Sequence, residues 1–196
     1  MTPEPEADPD ASLMAAFGRG DGKGFEVLYA RHKGGVYRYF LRSLREAGLA
    51  EELAQDVWTS VIRTRAQWQP DATFKTWLYR LAHNRLIDHY RRSNIVAFSA
   101  LDADDRDGQD EAAEPAEHAS LAPGPDEAAA QRIAARRVVH LVEGLPPAQR
   151  EALLLQLEGG LTLEEIGAAT NQGMETVKSR LRYALAKVRD GMRGYL

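Results

Sequence analysis

Residues 162–188 read TLEEIGAATNQGMETVKSRLRYALAKV, and this stretch decides the fold of the C-terminal part of the chain. Thr162 and Glu165 stand at the spacing of a capping box, which predicts the start of a helix. A short turn follows, and a second, basic helix is predicted from about Glu175 to Arg189. Two short helices joined by a tight turn are typical of the helix-turn-helix, whose second helix enters a DNA major groove.

The second helix of this motif has two different faces. One face carries polar side chains at intervals of three and four, namely Glu175, Lys178, Ser179 and Arg182. Lysine and arginine can neutralise phosphates and donate to guanine, and serine can contact the DNA backbone or a base. The predicted apolar stripe consists of Val177, Leu181, Ala184, Leu185 and Val188. A solvated face of an amphipathic helix is the ordinary alternative, but the cap, the turn and the basic helix occur together, which favours DNA binding.

An aromatic and basic segment lies further upstream, where residues 68–92 read WQPDATFKTWLYRLAHNRLIDHYRR. Rings interleaved with basic residues suit single-stranded or flipped bases, because unstacked bases can stack on aromatic side chains. Phe74 and Trp77 are also typical of a core, whereas Trp68, beside a proline, fits a core or a binding role equally well. Helical spacing places four polar side chains on one face, namely Arg80, Asn84, Asp88 and Arg91.

Charge is segregated along the chain, although the net formal charge of −4 looks wrong for a DNA-binding protein. Residues 95–130 hold ten acidic residues against the single Arg106, so the rest of the chain is net positive by five charges. Proline and glycine are frequent there and large apolar residues are few. This composition predicts a flexible acidic linker or, alternatively, a solvated loop without a role.

Apolar residues recur at intervals of three and four throughout residues 11–93, which predicts about four helices, and no stretch there alternates like a strand. Residues 1–10 are acidic and proline-rich, so we expect them to be disordered, and they lack the features of a secretory signal. After the linker, predicted for residues 94–127, helices resume and include one over 132–143. We therefore predict an all-α protein of two small helical domains, residues 11–93 and residues 128–196.

Catalytic and metal sites find little support in the sequence. His83 and His89 are six residues apart and lie on different helix faces, which makes them a poor metal pair. The chain has no phosphate-binding loop, no nucleophile elbow and no dinucleotide fingerprint. It also has no cysteine, which excludes disulfides and thiolate ligands. We expect no catalytic residue, no metal and no cofactor; a nuclease built on His83, Asp88 and His89 is the enzymatic alternative.

With these residues in view, the chain resembles the extracytoplasmic-function (ECF) sigma factors, the compact two-domain class of bacterial sigma subunits. Residues 52–58, ELAQDVW, resemble region 2.2 of that family, and residues 73–92 resemble regions 2.3 and 2.4. Residues 161–166 and 176–181 resemble region 4.2. The order and spacing of the three segments make the resemblance specific. A stand-alone helix-turn-helix regulator with an N-terminal sensor domain is the main alternative.

The resemblance implies a factor that binds core RNA polymerase, recognises −35 and −10 promoter elements, and melts DNA to initiate transcription of a specific regulon. Without it, the polar face of residues 52–56 would be interpreted as solvated surface. Contacts with the polymerase β′ coiled coil would fall on Glu52, Gln55 and Asp56. The −10 element would meet Trp68, Pro70, Asp71, Arg80, Asn84, Asp88, Arg91 and Arg92. The −35 element would meet Glu175, Thr176, Lys178, Ser179, Arg180 and Arg182.

Further partners and the location of the protein follow from the same resemblance. It implies the polymerase β flap, promoter DNA as duplex and as single strand, an anti-sigma factor or another regulator, and a cytoplasmic location. Two departures from the family pattern have expected effects. Glu175 stands where glycine is usual, so an acid faces the phosphates and is expected to weaken or redirect −35 binding. Gly167 and Ala169 replace larger residues, which predicts looser packing of the first helix of the motif.

Overall fold

The protein is all-α wherever its structure is described. The computed structural model describes residues 8–93 and 125–193, and of residues 125–130 the backbone alone. These residues form eight helices and no strand. The first four are α1 (Pro9–Gly18), α2 (Gly22–Leu44), α3 (Ala47–Thr64) and α4 (Phe74–Arg92). The second four are α5 (Pro125–Glu143), α6 (Pro147–Gly159), α7 (Leu163–Thr170) and α8 (Met174–Met192). Most of the predicted acidic linker lies outside the described residues.

Helices α1 to α4 pack around a core built from the predicted periodic apolar positions. Eleven apolar or aromatic side chains of this bundle are fully buried: Met14, Leu28, Val36, Tyr39, Phe40, Ala50, Val57, Val61, Phe74, Leu78 and Ala82. The prediction of about four helices is confirmed. Only Arg45 and Glu46 separate α2 from α3. Arg45 ends α2 in a left-handed conformation (φ 61°), and α3 begins two residues later.

The N-terminal boundary differs from the sequence-based expectation. Disorder was expected through residue 10, and this is wrong for residues 8–10, because α1 begins at Pro9. Asp8 caps two helices at once: its Oδ1 accepts from the amide of Asp10 at 3.0 Å, and its Oδ2 accepts from the amide of Phe74 at 2.7 Å. Asp10 is buried and pairs with Arg31 and His32, each at 2.6 Å. These contacts fix α1 on α2 and on the start of α4.

Replacing Asp8 with alanine is expected to lower the free energy of unfolding by about 2 kcal/mol, because both helix starts lose a capping carboxylate worth roughly 1 kcal/mol each. Urea unfolding followed by circular dichroism measures the change. Asp21→Ala is the matched control, since Asp21 caps only α2 through the amide of Lys23. Equal losses in the two variants would show that the contact with Phe74 contributes nothing.

The second domain contains the predicted helix-turn-helix in α7 and α8. Its first helix is longer than predicted and begins at Pro125, inside the expected linker, rather than at residue 132. The capping box is confirmed: the amide of Glu165 donates to Thr162 Oγ1 at 3.2 Å, and the amide of Thr162 donates to Glu165 Oε2 at 3.0 Å. Asn171 ends α7 in a left-handed conformation (φ 56°), which starts the turn into α8.

Packing in this motif is tight, so the expectation of looseness at Gly167 and Ala169 is wrong. Ala169 is 2% exposed. A Cβ atom added to Gly167 would lie 2.9 Å from the backbone oxygen of Gln172, closer than side chains approach a backbone. The small residues therefore allow the turn to fold back against α7.

Candidate nucleic-acid interface

The predicted polymerase contacts lie on an exposed face of α3. Glu52, Gln55 and Asp56 are all exposed, while Leu53 and Val57 between them are buried in the bundle. Among the described residues, no hydrogen bond or ion pair of the Asp56 carboxylate is found. The side chains of this acidic face of α3 (Glu52, Gln55, Asp56) are thus available to a partner.

Sequence reasoning missed the part of this surface that α2 contributes. Tyr29 and Lys33 lie one turn apart on α2 and, with Gln55 and Trp58, line an open groove of about 460 Å³. Tyr29 remains 40% exposed although its ring packs edge-on against Trp58 at 5.0 Å. The spacing of Tyr29 and Lys33 indicates that they share one face of α2. That this face meets Gln55 depends on how α2 packs on α3, which the spacing does not show.

The predicted face of α4 is exposed along its middle and its end. Asn84, Arg91 and Arg92 are exposed, and Arg80 and Asp88 are half-buried. Phe74 is fully buried, and Trp77 is partly buried against the core, so the core interpretation holds for both rings. The face of α4 (Arg80, Asn84, Asp88, Arg91) is therefore a polar, mostly basic strip, and neither Phe74 nor Trp77 contributes an exposed ring to it.

Trp68 supplies an aromatic surface shortly before α4 in the chain. It is half-buried in the segment between α3 and α4, where Pro70 and Asp71 are exposed. A pocket of about 480 Å³, here called the Trp68 pocket, lies between this segment and α1, lined in part by Ser12, Arg19, Arg65, Trp68 and Pro70. The buried Nε1–H of Trp68 has no acceptor among the described residues. Asp71 does not line the pocket.

Arg19 and Arg65 are site candidates that the sequence analysis did not find. Both line the Trp68 pocket. The Arg65 guanidinium lies over the ring of Phe17 at 5.5 Å and donates to the carbonyl of Ile62 at 2.7 Å, so its position is fixed. Two guanidinium groups beside a flat ring suit a phosphate next to a stacked base. Only the docking of α1 brings them together, and sequence spacing does not show that docking.

On α8, the predicted recognition positions face outward. Glu175, Lys178 and Arg182 are exposed, whereas Thr176, Ser179 and Arg180 are partly buried. Glu175 Oε2 lies 3.9 Å from Lys178 Nζ, an exposed pair that partly neutralises the lysine. The apolar stripe is as predicted at Val177, Leu181 and Ala184, which are buried. The prediction is wrong for Leu185, which is 52% exposed.

The histidine positions do not assemble into a metal site. His83 Nδ1 lies 2.6 Å from Glu151 Oε1 of α6, and His89 sits near Ser93 at the end of α4. Within residues 8–93 and 125–193, no group of three potential ligands could hold a metal ion.

Comparison with known proteins places this geometry in a family. The sigma-70 region 2 family matches residues 28–95, and the sigma-70 region 4 family matches residues 141–190. The "ECF RNA polymerase sigma factor SigK" of Mycobacterium ulcerans (strain Agy99) is 32% identical over 97% of this chain and 97% of its own length. The chain belongs to the ECF sigma factors. The "RNA polymerase sigma factor CarQ" of Myxococcus xanthus is also 32% identical, over 86% of this chain and 88% of its own length.

Solved structures share the fold of this ECF sigma factor. The structure of CnrH in complex with the cytosolic domain of CnrY matches with a TM-score of 0.65 and 21% identity, covering 95% of this chain and 99% of that one. The sigma factor RpoE of Bartonella quintana, crystallised with the anti-sigma factor NepR, matches with a TM-score of 0.62 and 19% identity, covering 87% and 98%. Family membership makes this chain a transcription initiation factor whose partners are core RNA polymerase and promoter DNA. None of the helices in the described parts of the chain is long and apolar enough to cross a membrane.

Proposed function

We propose that this sigma factor binds core RNA polymerase, recognises the −35 and −10 elements of a specific set of promoters, and melts the −10 region without carrying any chemistry itself. The observation that carries the proposal is the Trp68 pocket, which belongs to the same domain as the exposed basic face of α4 and the acidic face of α3. The first domain, predicted as residues 11–93 and here extended to Asp8, would hold polymerase and open DNA. The second, predicted as residues 128–196 and here extended to Pro125, would anchor the −35 region.

Melting would be driven by binding energy at the first domain. A base that leaves the duplex can stack on Trp68 while Arg19 and Arg65 neutralise the flanking phosphates. Asn84 on α4 can pair with a base edge, and Arg91 and Arg92 can hold the backbone of the separated strand. Asp71, exposed beside the pocket, remains a proposed contact from the family resemblance.

At the second domain, α8 would enter the major groove of the −35 element. The exposed Lys178 and Arg182 would contact phosphates or guanine, and Thr176, Ser179 and Arg180 would lie close to the groove wall. Each DNA surface of the protein is small, so promoter affinity without polymerase should be weak.

Regulation by an anti-sigma factor is part of the proposal, since RpoE was crystallised with the anti-sigma factor NepR and the structure of CnrH includes the cytosolic domain of CnrY. This factor would act where core polymerase works, in the cytoplasm, and the polymerase β flap would hold its second domain. Residues 94–124 would connect the two domains across the enzyme.

Run-off transcription from a genomic promoter library, with and without purified core polymerase, tests the proposal. Transcripts that require both proteins and map to shared −35 and −10 sequences are the expected result. Permanganate footprinting of the same promoters should show unpaired thymines at −10. Tight, specific duplex binding by the chain alone, with no polymerase-dependent transcript, would instead indicate a stand-alone regulator.

Glu175→Gln is expected to tighten −35 binding of the holoenzyme about 2- to 5-fold, because the exposed acid no longer repels phosphates or neutralises Lys178 (exposed pairs contribute roughly 0.2–1 kcal/mol). Electrophoretic mobility shifts over a salt series measure the change, and the salt dependence should steepen. Asp190→Asn on the last turn of α8 removes the same charge and is the control. Equal tightening in both variants would attribute the effect to net charge rather than to position 175.

A further inference from the structure

The exposed face of α8 carries its side chains at fixed positions around the helix. At about 100° per residue, Lys178 and Arg182 lie along one edge of this face, Ser179 and Ala186 lie along its middle, and Tyr183 lies on the opposite side of the middle. Extended side chains would therefore keep Arg182 on the same edge as Lys178, one turn away. Two like charges at that spacing repel each other.

The Arg182 side chain crosses the face instead of following its edge. Its Cζ atom lies 5.0 Å from the centroid of the Tyr183 ring, and its Nη2 donates to the Tyr183 hydroxyl at 3.3 Å. A guanidinium within about 6 Å of a ring centroid is attracted by the ring. Because Tyr183 and Lys178 lie on opposite sides of the middle, this contact directs the guanidinium away from Lys178 and over the middle of the face.

The neighbours of this contact leave room for it. Tyr183 is half-buried, so part of its ring packs against the protein, whereas Arg182 is exposed. The middle of the face, which the guanidinium has to cross, carries the short side chains of Ser179 and Ala186. The Ser179 hydroxyl donates to the carbonyl of Thr176 at 3.1 Å, so it lies back on its own helix. Tyr183 is thus a fixed support, and Arg182 is the side chain that it holds.

The charge of Arg182 remains available to a ligand. No carboxylate in residues 8–93 or 125–193 forms an ion pair with it: Glu175 lies 3.9 Å from Lys178, and Asp190 lies 3.2 Å from Arg193. The two exposed cations of the face therefore differ. Lys178 is partly neutralised and lies at the edge, whereas Arg182 is not neutralised and is directed over the middle.

The position of a guanidinium on a recognition helix decides what it can bind. The edges of such a helix face the phosphates on either side of the major groove, and its middle faces the base edges. The planar fork of arginine matches O6 and N7 of guanine, which is the commonest specific contact in that groove. Holding the fork in place before DNA arrives reduces the ordering cost of the contact.

We propose that Tyr183 is a positioning residue, which holds Arg182 across the middle of α8 so that Arg182 reads a guanine of the −35 element rather than binding a phosphate. This inference rests on the proposed function, and it assigns one base contact within it. The contact between Arg182 and Tyr183 is a property of the free chain and can be tested separately.

Replacing each guanine of the −35 element in turn by 7-deazaguanine tests the base contact, because this base keeps its pairing and its phosphate but lacks the N7 acceptor. At one guanine the natural holoenzyme should lose about 5-fold in affinity, since a bidentate pair discriminates between bases by roughly 5- to 150-fold and one of its two acceptors is lost. In Arg182→Ala that guanine should tolerate the change.

Tyr183→Leu removes the ring and should lower the penalty at that guanine from about 5-fold to about 2-fold, because an exposed cation–π contact corresponds to roughly 2- to 5-fold. Its binding over a salt series should not become shallower, since no phosphate contact is lost. Tyr183→Phe is the conservative variant, which keeps the ring and should keep most of the penalty. Adding Tyr183→Leu to Arg182→Ala should change the penalty no further.

Nuclear magnetic resonance of the free full chain tests the positioning without polymerase or DNA. The Nε–H signal of Arg182, assigned by its loss in Arg182→Ala, should be shifted by the aromatic ring in the natural chain and in Tyr183→Phe. The shift should disappear in Tyr183→Leu.

Three results would overturn the proposal. The first is the same set of 7-deazaguanine penalties in the natural holoenzyme and in Tyr183→Leu. The second is a −35 element whose guanines all tolerate the change, with a shallower salt dependence in Arg182→Ala, which would make Arg182 a phosphate contact. The third is an Arg182 signal that Tyr183→Leu does not move. A natural holoenzyme that binds equally well to a scrambled −35 element, with the ring shift present, would instead contradict the proposed function of α8 and leave the contact standing.

Discussion

Asp56→Arg is expected to reduce polymerase-dependent transcription at least about 100-fold. The proposed function places this carboxylate on the polymerase, and a like charge across an interface costs several kcal/mol, which is two or more orders of magnitude in binding. Asp56 is exposed on α3, and only its main-chain carbonyl is used, as the acceptor of the Ser60 hydroxyl at 2.9 Å. The substitution should therefore leave the fold intact.

Run-off transcription and a direct titration against core polymerase measure this effect together. Both should fall in parallel, while the melting temperature of the variant stays that of the natural chain. Glu46→Arg reverses the same charge at an exposed position before α3, without a side-chain capping bond to lose. Full transcription by Asp56→Arg would mean that the acidic face of α3 does not contact the polymerase.

Gly167→Val is expected to destabilise the second domain by about 3 kcal/mol, near the upper end of the cost of overpacking a well-packed site. The Cβ would lie 2.9 Å from the backbone oxygen of Gln172, and a backbone oxygen cannot rotate away. The amide of Gln172 also donates to the Gly167 carbonyl at 3.0 Å, so moving one end of this turn breaks that bond. Since the turn sets the angle of α8, −35 binding should fall more than tenfold.

Thermal unfolding and −35-dependent transcription report the two parts of this prediction. Gly167→Ala should show a smaller loss of the same kind. Gly144→Ala is the control, because a Cβ there meets carbonyl oxygens only at the ordinary distance of 3.5 Å. If Gly167→Val melts at the same temperature as the natural chain, α7 can shift at no cost. That result would agree with the looser packing predicted from the larger residues that the family has at this position.

Local sequence signals account for most of the fold. The period of the apolar residues is a property of one helix, so the bundle of α1 to α4 and the buried stripe at Val177, Leu181 and Ala184 follow from it. The capping box at Thr162 likewise depends on residues three apart. Errors arose where a distant partner decides the outcome. Asp8 is ordered because it reaches the amide of Phe74, and no local pattern indicates that contact.

The site divides in the same way. Exposure of Gln55, Asn84 and Lys178 could be predicted because each lies opposite a buried stripe on its own helix. The Trp68 pocket could not be predicted, since Arg19 and Arg65 follow the ends of α1 and α3, and these two ends come together only in the folded domain. The contact between the two domains joins residues more than one hundred positions apart, such as Arg38 and Glu158, and a single sequence contains no sign of that pairing.

Tyr79 of α4 fits between Gly35 of α2 and Gly159 of α6, because a Cβ atom at Gly35 would lie 2.7 Å from its hydroxyl and one at Gly159 would lie 3.0 Å from its ring. This fit limits how far the two halves of this protein can be treated as interchangeable modules. A hybrid that joins residues 8–93 to the second domain of a relative would bring together surfaces that were never matched. A relative with a larger residue in place of Gly159, or without an acid in place of Glu158, would supply its own promoter specificity but would pack poorly against the first domain of this protein. Covariation between these positions in an alignment of relatives is the trace that such a constraint should leave during evolution.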